Sequence, residues 1–322
     1  MDLDRWLFQP FLDDTFPLPL CAPFTTAQAV REGVPRRWLS ELVSAGLLRH
    51  PVKGCYLSSH LPDDVATRAA CLRLVVPEDA VVVDRHAGWL HGAEMLLRPN
   101  EHLDALPIAM YLPAGRGRLR NKLADSGERT FLPEDLTEVE GVRATTVLRT
   151  ALDLGRQRWP EPALTALDAL HRLGVFTIDE LVAEVDRFTG MRWVTTLRLV
   201  APHTDGRSQS GGETVIRWRW KHLPLPSPTP QVEVRNAGRV AFIDVGVETT
   251  RFGCEFDGEE FHTEDEDREH DQTRRAWLDE DADWVIKPVT TKEVYRGDGL
   301  LDAILVEGFK EAIQRVRRRT AA

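Results

Sequence analysis

Lysine is scarce in this chain. Only six of its 41 basic residues are lysine, and the rest are arginine. The guanidinium is a planar fork that suits phosphate, although codon bias in a GC-rich genome produces the same preference. Cysteine is also sparse. Cys21, Cys55, Cys71 and Cys254 stand far apart with no CxxC pair, which argues against a zinc knuckle, a redox pair or a disulfide scaffold. No stretch approaches the roughly 18 uncharged apolar residues that a membrane span needs. The opening MDLDRWLFQP is acidic and lacks the basic-then-apolar order of a secretory leader. The expectation from these absences is a soluble, cytoplasmic protein with no membrane partner. What is present fits two or three globular domains: 322 residues, 42% apolar and 29% charged. The net charge of −10 excludes a wholly basic nucleic-acid coat protein but leaves room for local basic patches.

Residues 25–57 carry the pattern helix, turn, helix, hairpin. Thr25 and Gln28 have capping-box spacing. Gly33 stops that helix, and Pro35 suits the start of the next. Leu39, Leu42 and Val43 give the second helix an apolar stripe, and Gly46 ends it. Leu47 to Tyr56 reads as a short hairpin turning near Lys53-Gly54. Arg36, Arg37, Arg49, His50 and Lys53 fall on the exposed side, where the second helix would read a major groove and the hairpin would touch phosphate.

Residues 61–205 say less. Val81–Val83 is a strand candidate, and a helix opens near His86. Arg116, Arg118, Arg120 and Lys122 alternate, as on one face of a ribbon contacting phosphate or in a solvated loop. Helices are expected near 161–173, 177–187 and 191–201. A polar, glycine-rich segment from His203 to Gly212 marks a boundary. The expected domains are therefore 1–60, 61–205 and 206–322. After the boundary the order is helix 211–222, strands 231–236, 239–247 and 251–257, helix 265–281, strand 284–289 and helix 299–318. This is a mixed α/β pattern.

The informative residues in this last part are acidic. Asp244 lies in one expected strand, and Glu255 and Asp257 lie in the next. Residues i and i+2 of a strand share a face, so Glu255 and Asp257 project together. A tight turn at 248–250 sets Asp244 opposite Glu255. Three such carboxylates repel one another unless a cation or proton intervenes, and hard oxygen ligands suit Mg²⁺ or Mn²⁺. Glu213 is a fourth acid, whose simplest role is the capping box Ser210-x-x-Glu213. His262 follows the turn-permitting Gly258, and Asp271 and Arg274 share a helix face.

Taken in order, Ser210-x-x-Glu213-x-x-x-Arg217, Pro230-Gln231, Asp244, Cys254-Glu255-Phe256-Asp257-Gly258-x-x-x-His262, Asp271-x-x-Arg274 and Asp283-Trp284-Val285-Ile286-Lys287 resemble the PD-(D/E)XK nuclease-like domain. The closer resemblance is to the branch similar to the very-short-patch repair endonuclease. It covers roughly 208–295. Residues 25–57 resemble the winged-helix domain of AbiEi-type antitoxins, and Arg149-Thr150-Ala151-Leu152-Asp153 looks like the region that links the two parts. The implied architecture is an N-terminal winged helix-turn-helix, a helical middle region and a C-terminal restriction-endonuclease-like three-layer sandwich. The implied site is Glu213, Asp244, Glu255, Asp257 and His262, with metal on Asp244, Glu255 and Asp257. In the superfamily a lysine follows E-x, whereas here Asp257 holds that place, so either Asp257 binds metal instead or the positive charge comes from Lys287 or Arg274.

Two functions follow as expectations. One is a Mg²⁺- or Mn²⁺-dependent DNA endonuclease held on duplex by Arg36, Arg37, Arg49, Lys53, Arg116 and Arg118. The other is an antitoxin-like repressor that binds DNA, keeps a non-cleaving nuclease fold and has a cognate toxin as partner. Oligomeric state stays open.

Overall fold

The protein is described here by a computed structural model that covers residues 3–94, 106–258 and 265–321, with the backbone alone for 265–272 and 320–321. It is mixed α/β. Contacts gather residues 3–94, 106–154 and 173–184 into one compact unit, and 155–172 and 185–321 into a second. The sequence suggests boundaries near 60 and 205. The contacts instead join 25–57 to the segment after it, and join 155–172 to the C-terminal part.

The first unit opens with α1 (Asp4–Leu7), β1 (Phe24–Thr25), α2 (Thr26–Arg31), α3 (Arg36–Ser44), β2 (Leu48–Val52) and β3 (Cys55–Ser58). The capping box forms as spaced: Thr25 Oγ1 accepts from the Gln28 N–H, and Gln28 Oε1 accepts from the Thr25 N–H. Gly33, Gly46 and Gly54 all take left-handed φ angles, which is why the two helices and the hairpin end where they do. Leu39 and Leu42 are buried against Trp6, Phe16 and Phe24, while Arg36, Arg37, Ser40 and Glu41 stay exposed on α3. β1, β3 and β2 form a three-stranded sheet in that order.

The unit continues with α4 (Val65–Arg73), β4 (Val81–Val82), α5 (Asp84–Leu90), β5 (Ile108–Pro113), β6 (Ala124–Asp125), β7 (Glu128–Arg129), β8 (Leu136–Val139), β9 (Val142–Thr145) and α6 (Val147–Leu154). The chain then supplies α7 (Pro160–His171) to the second unit and returns with α8 (Ile178–Glu184). The sheet order is β6-β5-β4-β9-β8, with β7 also on β5. A buried charge network fixes its end. Arg149 pairs with Asp135 and, at 2.9 Å, with Asp153; Arg129 bridges Asp153 and Asp84 at 2.8 Å each. The Arg129 guanidinium also lies 4.4 Å from the Tyr111 ring centre. The Arg149–Asp153 stretch is thus a structural clamp.

The second unit adds α9 (Val194–Val200), α10 (Gly211–Lys221), β10 (Thr229–Asn236), β11 (Arg239–Val247), β12 (Phe252–Asp257), α11 (Asp265–Glu280), β13 (Val285–Thr290), α12 (Thr291–Tyr295) and α13 (Leu300–Ala321). Its sheet runs β10-β11-β12-β13, antiparallel except for the parallel pair β12–β13. Each face has its own core. Val215, Ile216, Trp220, Phe252, Cys254, Val285, Leu301 and Leu305 close one side under α10 and α13. Val232, Val234, Ala241, Ile243, Trp277 and Leu278 close the other under α11.

One buried ion pair ties α7 to α10. Arg217 donates to Asp168 at 2.6 Å and to the His203 carbonyl at 2.7 Å. Asp168 also accepts from Thr214 Oγ1 and from the Asp205 N–H, both at 2.7 Å. Both charges are almost fully shielded from water. This is why 155–172 belongs with the C-terminal unit. Removing one partner strands the other charge. Arg217→Met is expected to destabilise the second unit by about 3–5 kcal/mol. Chemical denaturation followed by the fluorescence of Trp218 and Trp220 measures it, and a loss below about 1 kcal/mol contradicts the assigned role.

Candidate functional site

Strand β11 changes its facing at Asp244. Ala241 and Ile243 pack into the core under α11, whereas Val245 and Val247 pack into the core under α10 and α13. A regular strand would keep all four on one side. The β10–β11 register passes from Pro230 opposite Val245 to Val232 opposite Ile243, leaving Asp244 and Gln231 in between. Gln231 takes a left-handed φ of 51°, a conformation that costs a non-glycine residue roughly 1–2 kcal/mol. Such re-aiming is a recurrent feature beside active sites. The β11–β12 ladder runs from Val247 opposite Phe252 to Val245 opposite Cys254, which sets Asp244 and Glu255 next in line.

Three acids meet at this notch. Asp244 Oδ2 accepts from the Phe256 N–H at 2.8 Å. Gln231 Nε2 donates to Glu213 Oε2 at 3.0 Å and reaches Asp244 Oδ1 at 3.5 Å, so one amide links the two carboxylates. Glu213 is also a helix cap: its N–H donates to Ser210 Oγ at 3.2 Å, and its carboxylate accepts from the Gln209 N–H at 2.8 Å. The capping box expected at Ser210-x-x-Glu213 is half formed, because the carboxylate reaches the Gln209 N–H and not the Ser210 N–H, while Glu213 also joins the acidic cluster. Gly212 lets α10 come this close. A Cβ there would lie 2.5 Å from three atoms of the Phe256 ring.

Electrostatics mark Asp244 as the stressed group. Burial, and next the charge of Glu213, push its carboxyl up to about 7. Burial also raises Glu213. Glu255 is 2% exposed, and its Oε1 is buried with no hydrogen-bond partner among the described residues. Its other oxygen accepts from Arg274 at 2.8 Å and from Arg275 at 3.2 Å. Asp257 shares the Glu255 face and pairs with Arg275 at 2.5 Å.

The remaining site residues divide. His262 lies outside the described residues, as does the side chain of Asp271. Arg274 turns inward as its helix spacing suggests. Lys287 does not reach the acids. It stands opposite Cys254 in the parallel ladder and shares the Cys254 face, not the Glu255 face; its amino group pairs with Glu311 of α13 at 2.8 Å. Strand alternation is the reason. Arg275, which the sequence reading passed over, is the cation between Glu255 and Asp257. Its signal was present: it is the neighbour of Arg274 on a helix otherwise rich in acids.

Among the nucleic-acid candidates of the first unit, Arg36 and Arg37 are exposed on α3, and Lys53 is half-exposed at the hairpin turn. Arg49 differs from expectation. Its guanidinium turns back onto the Leu61 and Pro62 carbonyls, so it ties the hairpin to the following chain. Arg116 and Arg118 are exposed, in a loop and not a ribbon, because Glu128 accepts from the Gly115 and Gly117 N–H groups and curls the backbone. Arg116 pairs loosely with Asp79 at 3.3 Å. Arg116, Arg118 and Arg120 line an open pocket of about 390 Å³.

The fit to a divalent cation is partial. No three His, Cys, Asp or Glu side chains among the described residues stand together closely enough to hold a metal ion. Asp244 and the Glu255 Oε1 that lacks a hydrogen-bond partner among the described residues are hard oxygen donors, although Arg274 and Arg275 already pair with the other Glu255 oxygen. Mg²⁺ commonly takes one or two carboxylates and keeps several waters, so these two residues fit it. Asp257 also has one oxygen on Arg275, but unlike Glu255 its side chain is a quarter exposed, so its free oxygen is solvated and does not call for a cation.

The sequence matches no protein-family model. It is 30% identical over 178 residues to uncharacterized proteins from two strains of Mycobacterium tuberculosis. The match covers 55% of this chain and 65% of each relative. Among the described residues no helix is long and apolar enough to cross a membrane.

The stressed carboxyl gives a pH signature. Folded Asp244 keeps its proton up to about pH 7, whereas the unfolded chain releases it near 3.8. The folded state therefore binds more protons in that window, and stability falls as pH rises from about 4 to about 7, then levels. Asp244→Asn is expected to remove most of this slope and to stabilise the second unit above pH 7. Denaturation midpoints at several pH values test it; parallel curves for the two proteins would refute it.

Proposed function

We propose that the protein is a Mg²⁺- or Mn²⁺-dependent DNA endonuclease, with a winged helix in its first unit and a restriction-endonuclease-like sandwich in its second. The observation that carries the reading is the buried notch of Glu213, Asp244 and Glu255, with Asp244 raised to about 7 and Glu255 Oε1 lacking a partner. A buried carboxyl driven up by a neighbouring acid, and a buried carboxylate oxygen left without a partner, are the marks of a functional site. The order of α10, β10–β12, α11, β13 and α13, with helices on both faces of the sheet, supports the sandwich reading.

In this mechanism Asp244 and Glu255 would hold the cation, with water completing its shell. When bound, it lowers the pKa of an attacking water and offsets charge on the phosphate. Glu213 and Gln231 fix the direction of Asp244 through the amide bridge. The water oxygen bonds to phosphorus as its proton passes to bulk water, the bond to the leaving ester oxygen breaks, and that oxygen takes a proton back from bulk water. The exposed Arg36 and Arg37 of α3 face the groove, and Lys53 and Arg118 contact phosphate.

A second reading is a DNA-binding, antitoxin-like repressor with a cognate toxin and a non-cleaving C-terminal unit. The arginine pairs on Glu255 and Asp257 favour it, because they stabilise the acids without metal.

Supercoiled plasmid separates the two. Nicking is expected with Mg²⁺ or Mn²⁺, not with EDTA, and a drop of at least about 100-fold in Asp244→Ala. Absence of nicking on duplex, single-stranded and mismatched DNA, with equal gel-shift binding by both proteins, would establish the repressor instead. The DNA contact has its own test. Replacing Arg36 and Arg37 by alanine is expected to flatten the salt dependence of binding by about one unit of log–log slope per arginine. An unchanged slope removes α3 from the interface.

A further inference from the structure

On the endonuclease reading the notch receives a phosphodiester, yet it is lined by carboxylates. An anion enters such a place only if a positive charge stands ready. Lys287 faces the other side of the sheet and is held by Glu311. The cations that touch Glu255 and Asp257 among the described residues are Arg274 and Arg275 of α11.

These two arginines are not equivalent. Arg274 has both arms engaged, one on Glu255 Oε2 at 2.8 Å and one on the Phe242 carbonyl at 3.3 Å. Arg275 spans the two acids: Nε donates to Glu255 Oε2 at 3.2 Å, and Nη2 donates to Asp257 Oδ1 at 2.5 Å. Its Nη1 is not engaged with a described residue, and its side chain is 28% exposed. A guanidinium held by one edge with donors left over is suited to a phosphate oxygen.

Resting on the endonuclease reading, we infer that Arg275 supplies the positive charge for the substrate phosphate and that Asp257 positions it instead of binding metal. Glu255 then serves both sides: Oε2 steadies Arg275, and Oε1 is left for the cation. The acid at the E-x-D position keeps the local charge arrangement by recruiting a guanidinium from the neighbouring helix.

The experiment uses the full chain. Mn²⁺ alone is titrated into wild type, Asp244→Asn and Asp257→Asn, with free Mn²⁺ read by electron paramagnetic resonance. Asp244→Asn is expected to weaken binding at least about tenfold, and Asp257→Asn to leave it within about threefold. Plasmid cleavage is then compared in wild type, Arg275→Gln and Arg275→Gln with Asp257→Lys. The single variant is expected to lose about 100-fold, and the added lysine to restore at least about tenfold. Circular dichroism and melting confirm that each variant folds. Mn²⁺ binding weakened equally by Asp257→Asn and Asp244→Asn overturns the inference, as does full cleavage by Arg275→Gln. A wild type that shows the expected Mn²⁺ pattern but cleaves nothing overturns the endonuclease reading alone, and leaves Asp257 assigned as the partner of Arg275.

Discussion

Buried carboxylates that sit side by side cannot all carry charge at low cost, and the second unit places Glu213, Asp244 and Glu255 together at the end of its sheet. The geometry that does this is local. β11 switches faces between Ile243 and Val245, Gln231 adopts a left-handed backbone opposite the switch, and Gly212 admits the first turn of α10 against the Phe256 ring. Each device is unfavourable or permissive on its own. Together they bring an acid from a helix and acids from two strands to one place. The electrostatic stress is then divided between a proton retained on Asp244 and the two guanidinium groups on Glu255.

The same chain uses arginine as internal framework. Arg217 joins α7 to α10 through Asp168; Arg129 and Arg149 join strands and helices through Asp84, Asp135 and Asp153. Arg49 holds two carbonyls behind the β2–β3 hairpin. These groups need several donors in fixed directions, which a guanidinium provides and an ammonium does not. The arginine excess therefore has a structural share, and a count of basic residues overstates the surface available to phosphate. Arg36, Arg37 and Arg118 remain exposed and available; Arg49 does not.

Much of the second unit was legible because its elements have clear periods. The apolar spacing of Leu301, Ile304 and Leu305 reads as helix, and the runs around Ile243 and Phe252 read as a hairpin, as found in α13, β11 and β12. Asp244 next to Glu255 followed from counting back from the turn. The facing of Lys287 did not follow, because it depends on the register of a parallel pair, and the intervening helix hides that register from local pattern. Val285 and Val289, buried on the same face as Lys287, were the available clue. The unit boundary was hidden for a related reason. Asp168 and Arg217 are 49 residues apart, and nothing local announces that they meet. The strands β6–β9 have only two to four residues, and several are half-exposed, so their alternation is too brief to read.

An aspartate two positions after Glu255 adds a second negative charge to the same strand face. A lysine at 257 would project its ammonium from the strand itself. An aspartate there projects the opposite charge, and the compensating cation must come from a packed neighbour. α11 supplies it at Arg275, one position beyond the arginine that the helix spacing had singled out. A fork is better than a point charge for this task, because it can span Glu255 and Asp257 and still retain donors. The arrangement makes the strand acids and the α11 arginines a single electrostatic unit. A change in either half alters the charge that meets whatever enters the notch.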